Sequence, residues 1–241
     1  MSILATVSLN ALQRERAFYF AMAVALAVTA VLGFGAFFLM GHSNFGEPWF
    51  VHVHAVTMMT WMGLYLVQNA FAFRGNVARH RMLGVFAGAW SAWVVVVGLA
   101  ITAANLAFHR IPPAFQDPAF FLAMDWSTIV LFAGLSWTAL ALRHRSDWHK
   151  RLMLGGTVNL VGPAWGRVLP LPLTGQNGVL LILVVLLGYL GVAMAFDRRL
   201  HGRIHPALHW SAGLLVASFA VVYPLSAWPA FRSLAAALGA Y

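Results

Sequence analysis

The chain has no cysteine among its 241 residues, so disulfides, thiolate metal sites and cysteine nucleophiles are excluded. Charge is also scarce. Only 9% of residues are charged, against about 25% in a soluble domain, so water is not the main solvent of the folded chain. Acidic charge is scarcest: six Asp and Glu stand against 15 Lys and Arg. Nothing resembles a glycine-rich phosphate loop, a GxSxG nucleophile elbow or an HExxH helix.

What fills the chain instead is apolar: 61% of residues are hydrophobic. A helix of about 20 apolar residues crosses roughly 30 Å of hydrocarbon. Seven segments qualify: 17–40, 50–73, 83–107, 119–142, 152–169, 178–196 and 205–225. They predict an all-α, polytopic transmembrane helical bundle, a single integral membrane domain over residues 1–241. The fifth segment carries Gly155, Gly156, Gly162, Pro163 and Arg167, so six spans with a re-entrant or broken fifth is the alternative. The run after Arg16 is too long for a signal sequence and lacks a small-residue cleavage site, so the first span is expected to stay attached.

The net charge of +9 is a matter of topology. With the N-terminus in the cytoplasm, the inside segments hold Arg14, Arg16, Arg74, Arg79, Arg81, Arg143, Arg145, Lys150, Arg151, Arg198, Arg199 and Arg203. Arg110, Arg167 and Arg232 fall at or near the outer side. This is the positive-inside bias in every loop, and nucleic acid is not an expected partner. The lipid bilayer is one; further membrane subunits or a homo-oligomer are the others. Trp49, Trp126 and Trp228 near the outer interface and Trp148 near the inner one suit indole anchors.

Three inner turns repeat a spacing, an arginine followed six residues later by a histidine: Arg74 and His80, Arg143 and His149, Arg199 and His205. The repeat predicts three helical hairpins after the first span, N-terminus in and C-terminus out. The outer connections GHSNFGEP, HRIPPAFQDPA and PLPLTGQNG read as turns and loops.

Two groups of residues can carry chemistry. Equal residue counts from a turn mean equal depth on a helix, at about 1.5 Å per residue. Asp125 and Arg167 lie at similar distances from Asp147 in the second inner turn, so both reach the outer level, where His52 and His54 open the second span. Thr102, Asn105 and Tyr223 arrive there too. A buried carboxylate needs a partner, and Arg167 is the expected one in an ion pair with Asp125. His52, His54 and Asp125 form a His/His/carboxylate metal set suited to zinc or iron. The two histidines are two residues apart, so they share one ion only if His52 precedes the helix.

The second group is the inner histidines. His80, His149 and His205 each begin a helix, where the helix dipole and neighbouring arginines disfavour imidazolium. Three neutral imidazoles could converge on a cofactor: a zinc, iron or copper ion, or a haem held at the membrane surface. No span has a histidine near its middle, which argues against a haem deep in the bilayer. His205 and His209 form an HxxxH pair on one helical face. That pair and the helix count resemble the alkaline ceramidase and adiponectin receptor superfamily. The resemblance ends there, since the matching histidine and aspartate of the second and third spans are missing.

From His52 to His209 the order of HxH, Gln68, ARHRMLG, WHKRLML and GRIHPA resembles a family of uncharacterised bacterial multi-pass membrane proteins. The resemblance implies the helical fold and a bacterial inner-membrane location, and it brings no activity. The leading functional expectation is an outer-side His/Asp/Arg site for a metal or small ligand, with a redox role among its uses. The competing expectations are a non-catalytic subunit of a larger membrane complex and a small transporter built around the broken fifth span.

Overall fold

The computed structural model describes residues 3–111, 115, 117–169 and 177–240, with side chains from Ala11 onward, Asn177 excepted. The outer connection PLPLTGQNG lies almost wholly outside the described residues, as does part of HRIPPAFQDPA. Every described element is an α-helix: α1 (Ile3–Leu39), α2 (Trp49–Phe73), α3 (Val77–Ala107), α4 (Pro118–Ala141), α5 (Ser146–Leu160), α6 (Gly162–Val168), α7 (Asn177–His201), α8 (Pro206–Ala227) and α9 (Pro229–Leu238). In hydrocarbon a helix is the way one segment satisfies its own backbone. Six of these, α1 to α4 with α7 and α8, are long and apolar enough to cross a membrane.

The fifth segment is divided. α5 ends at Leu160 and α6 begins at Gly162, with Val161 between them. Pro163 explains the break: it has no N–H for the carbonyl of Asn159, and its ring crowds that carbonyl. The bundle thus has about seven spans, six of them single helices. α9 lies beyond the last expected span, 205–225. Pro229 opens it, and Phe231 and Ala235 are buried where it packs on α4, α3 and α8.

Helix starts follow local chemistry. The Asn76 side chain accepts from the Arg79 N–H at 3.1 Å, and Asp117 accepts from Ala119 N–H at 2.9 Å. Both satisfy donors left free at a first turn. Pro118, Pro206 and Pro229 stand at helix starts, where the missing N–H costs nothing.

Consecutive helices pack as pairs, α2 on α3, α4 on α5 and α7 on α8, which are the three expected hairpins. Their closing turns bring the basic segments to one end of the bundle, here called the basic end. Helix α1 lies against α2 and α6. Helix α4 is the most enclosed of the six, packed on α3, α5, α8 and α9. Close approach depends on small residues, as between membrane helices generally. A Cβ on Gly156 would stand 2.7 Å from Ser136 Oγ, and one on Gly155 would overlap Ser211 Oγ. Adjacent glycines thus let α5 fit between α4 and α8. Large apolar side chains face outward on all sides, among them Leu32, Val56, Val85, Val130 and Val184, as lipid contact requires.

Candidate functional site

At the basic end, Arg151 is only 2% exposed and Asp197 0%. The Arg151 guanidinium donates through Nε to Asp197 Oδ2 at 2.8 Å and through Nη2 to Asp197 Oδ1 at 2.6 Å. Nη2 also reaches Glu15 Oε1 at 3.1 Å, and Nη1 donates to the Asp147 carbonyl at 2.9 Å. Lys150 pairs with Glu15 Oε2 at 2.6 Å, and His201 Nε2 lies 3.2 Å from Glu15 Oε1. The backbone N–H of His205 donates to Asp197 Oδ2 at 3.2 Å. One arginine thereby ties α1, α5 and α7 together. Glu15, Asp197 and His201 place their ligand atoms within 4.8 Å of one another, a set that could hold a metal. The carboxylates are nevertheless already neutralised by two cations, so an added cation would have to displace Arg151 or Lys150.

Beside this cluster lies a cavity of about 310 Å³. α1, α2, α3 and α5 wall it, with Leu140 of α4. Three wall residues, Tyr19, Trp61 and Gln68, are buried at 4%, 2% and 9% exposure. The Tyr19 hydroxyl, Trp61 Nε1 and Gln68 Oε1 have no hydrogen-bond partner. A buried polar atom left unpaired costs about 1–3 kcal/mol, and these three are enclosed within the cavity wall rather than open to its space.

His80 and His149 line the same cavity. Their ring centroids are 6.3 Å apart and their planes nearly perpendicular, at 87°. Both stand four residues after a helix cap, Asn76 for α3 and Arg145 for α5. Each ring is fixed by the preceding helix of its own hairpin. His80 Nδ1 lies 3.2 Å from the Gln68 carbonyl, and His149 Nδ1 lies 2.8 Å from the Ala139 carbonyl. A carbonyl only accepts, so both Nδ1 atoms carry a proton, and in the neutral ring the lone pair is then on Nε2. At His149, ahead of the apolar part of its helix, burial holds the imidazole below its ordinary pKa. The Ala139 carbonyl opposes that shift, and His80 adds to it.

The third member of the repeat does not join them. His205 is the cap of α8, its Nδ1 accepting from Ala207 N–H at 3.2 Å and its Nε2 lying 3.1 Å from Asp147 Oδ2. In register from the cap, the counterpart of His80 and His149 is His209, which is exposed. The arginine–histidine spacing therefore aligns the third turn by four residues out of helical register.

The outer layer assembles in part. Asp125 Oδ2 accepts from Thr102 Oγ1 at 3.1 Å. Arg167 lies within electrostatic reach of Asp125 and His54, yet among the described residues no Asp125–Arg167 contact falls within 4.0 Å. Its Nη1 donates instead to the Pro163 carbonyl at 2.8 Å, and its guanidinium sits over Phe34 at 4.3 Å. Pro163 stands four residues before Arg167 in α6, so the arginine side chain folds back along its own helix. His52 lies inside α2, which begins at Trp49. With His54 two residues further on, the rings leave the helix on different faces, so they do not form one ligand set with Asp125. His54 Nδ1 and Arg167 Nε are buried without partners.

The residues that the sequence reading passed over are Glu15, Arg151 and Asp197. The signal was the scarcity of acids: Glu15 and Asp197 each sit beside arginines in basic segments, where topology alone asks for no carboxylate. The fold and these sites define a multi-pass helical membrane protein with a ligand-sized cavity at one end. No family model matches the chain, and neither the curated proteins nor the solved structures contain a match. The likeness to bacterial multi-pass proteins therefore rests on the motifs alone.

Proposed function

We propose that this is a bacterial inner-membrane protein, its basic end in the cytoplasm, that holds a small molecule or cofactor in the cavity bounded by His80 and His149. One observation carries the reading: a cavity of about 310 Å³ with apolar and aromatic walls is lined by both histidines, and neither Nε2 has a partner among the described hydrogen bonds. Cavities of roughly 300–1,000 Å³ with few polar groups among apolar walls are the usual form of small-ligand sites, and this one falls at the lower end. The Arg151 cluster beside it ties two walls of the cavity, α1 and α5, to each other and to α7.

Native mass spectrometry of protein purified in mild detergent tests this. The wild type carries a bound mass beyond lipid and detergent. A Gly88→Leu variant loses it, because Gly88 lines the cavity and a Cβ there meets only Leu140 Cδ1 at 3.7 Å. A wild type with no such mass, or a variant that keeps it, would sink the reading.

A second reading places a metal or small ligand at the outer layer of His54, Asp125 and Arg167. It is favoured by the unpartnered His54 Nδ1 and Arg167 Nε. Zinc titration of the wild type against Asp125→Asn separates it from the first, since the two sites lie at opposite levels of the bundle.

A further inference from the structure

We propose that the occupant of the basic-end cavity is an iron porphyrin, held through its iron by Nε2 of His80 and Nε2 of His149. This rests on the reading of the cavity as a ligand site and names the ligand class.

Distance is the first argument. An imidazole nitrogen binds a transition metal at about 2 Å, so two rings on opposite sides of one ion have centroids roughly 6 Å apart. The observed separation is 6.3 Å. Perpendicular ring planes are compatible with this arrangement, because rotation about a metal–nitrogen bond leaves the bond unchanged.

Tautomer is the second. Metal-bound histidines commonly donate their other ring N–H to a backbone carbonyl, which fixes ring orientation and frees the ligating lone pair. Both histidines do so here, to Gln68 and Ala139. Neither Nε2 has a partner among the described hydrogen bonds.

The cavity itself is the third argument. Two imidazoles leave four equatorial positions on an octahedral iron, and no further histidine or unpaired carboxylate lines the wall to fill them. A porphyrin brings its own four nitrogens. Aromatic and apolar walls, with Trp61 and Tyr65 among them, suit a flat macrocycle. Arg16 on the same wall has no carboxylate within 4.0 Å among the described residues, and haem propionates would supply one. A bare cation leaves Arg16 without a counter-charge.

The third turn provides the internal comparison. His209 occupies the equivalent register but is exposed, so only two of the three hairpins present a histidine to the cavity, as two axial positions require.

The test is addition of ferric protoporphyrin IX to the purified full chain in mild detergent, read by absorption and electron paramagnetic resonance. The expected result is stoichiometric binding with a six-coordinate, low-spin signature. His80→Gln and His149→Gln each convert it to a five-coordinate or unbound spectrum, while His209→Gln leaves it intact. Size-exclusion profiles of the variants confirm that they remain folded, and Gly88→Leu, which keeps both histidines, abolishes binding by filling the cavity. Metal-free protoporphyrin IX, followed by quenching of tryptophan fluorescence, separates the two levels of the argument. If the metal-free ring binds and Gly88→Leu blocks it, but the iron form shows no dependence on His80 and His149, axial ligation is overturned and the cavity reading stands. If neither porphyrin binds while a different co-purified molecule is lost in Gly88→Leu, the porphyrin is overturned and the cavity again stands. If no bound molecule of any kind depends on Gly88, both fall.

Discussion

Arg151 and Asp197 meet through two nitrogen–oxygen contacts of 2.8 and 2.6 Å, although 46 residues separate them and each is sealed from solvent. Such a pair is a poor source of net stability, because removing both charges from water offsets most of their attraction. Breaking it is another matter. Arg151→Met leaves Asp197 buried and uncompensated, and the expected loss is about 3–5 kcal/mol. Thermal unfolding in detergent should show this as a sharply lowered transition. The double variant Arg151→Met with Asp197→Leu should recover most of it, since Glu15 keeps Lys150 as a partner. A double variant no better than the single one would refute the pairing argument.

The same geometry makes a prediction about metals. Glu15, Asp197 and His201 are close enough to chelate an ion, but Arg151 and Lys150 already neutralise them. Zinc affinity should therefore be unchanged by His201→Ala in the wild-type background. It should appear at this cluster only when Arg151 is removed, as calorimetric titration of Arg151→Met with and without His201→Ala would reveal. A wild type whose zinc binding disappears with His201→Ala would show that the cations yield to the metal.

Close helix packing at Gly155 gives a steric test. A methyl group there overlaps Ser211 Oγ, so Gly155→Val should force α5 away from α8 and cost about 1–3 kcal/mol. Gly213→Ala is the control, since nothing lies within 4 Å of a Cβ at that position. Comparable thermal transitions for the two variants would contradict the packing described.

How much of this could be read beforehand varies by feature, for physical reasons. Apolar runs and basic turns made the helices and hairpins legible, because hydrocarbon admits few alternatives. The break at Pro163 was visible for the same reason: a proline inside a helical run has a known consequence. Thr102 beside Asp125 followed from depth counting, which works while helices are straight. The Arg167 contact did not, because the side chain folds back on the Pro163 carbonyl of its own short helix and over Phe34, and a linear count carries no trace of either. His205 was placed with His80 and His149 because spacing from an arginine was used where spacing from the helix cap decides direction. Glu15 joins Arg151 across 136 residues, a pairing that only the packed bundle brings about.

His205 provides a pH test. Burial holds its imidazole below the ordinary range against the opposing hydrogen bond that its Nε2–H donates to Asp147. Asp147 in turn is held low, because its contacts with His205 and the local backbone outweigh partial burial. A histidine with a lowered folded pKa is protonated more readily in the unfolded chain. Its stabilising share is therefore present above about pH 6.5 and lost as pH falls toward the folded value. The Asp147 share disappears in the same direction at lower pH. Melting curves should fall on acidification from about pH 7 to pH 5. His205→Asn, which can still cap α8, should flatten that slope. An unchanged slope in His205→Asn would place the sensitivity elsewhere.

Thr102 is 0% exposed and donates to a carboxylate in the interior of the bundle. No basic side chain contacts that carboxylate within 4.0 Å among the described residues. The hydroxyl is therefore the nearest compensation Asp125 has, with Arg167 acting only at longer range. Thr102→Val keeps the shape of the side chain and removes the donor, so it should cost about 1–3 kcal/mol. Asp125→Asn on top of it should restore part of the loss, because a neutral amide is less costly to leave unpaired. Arg167→Gln should cost less than Thr102→Val, since its guanidinium is engaged with the Pro163 carbonyl and the Phe34 ring. Thermal unfolding of the three variants in one detergent decides the order. Should Arg167→Gln prove the most damaging, and Asp125→Asn rescue it, the two residues would be coupled as a clasp through a rearrangement of α6.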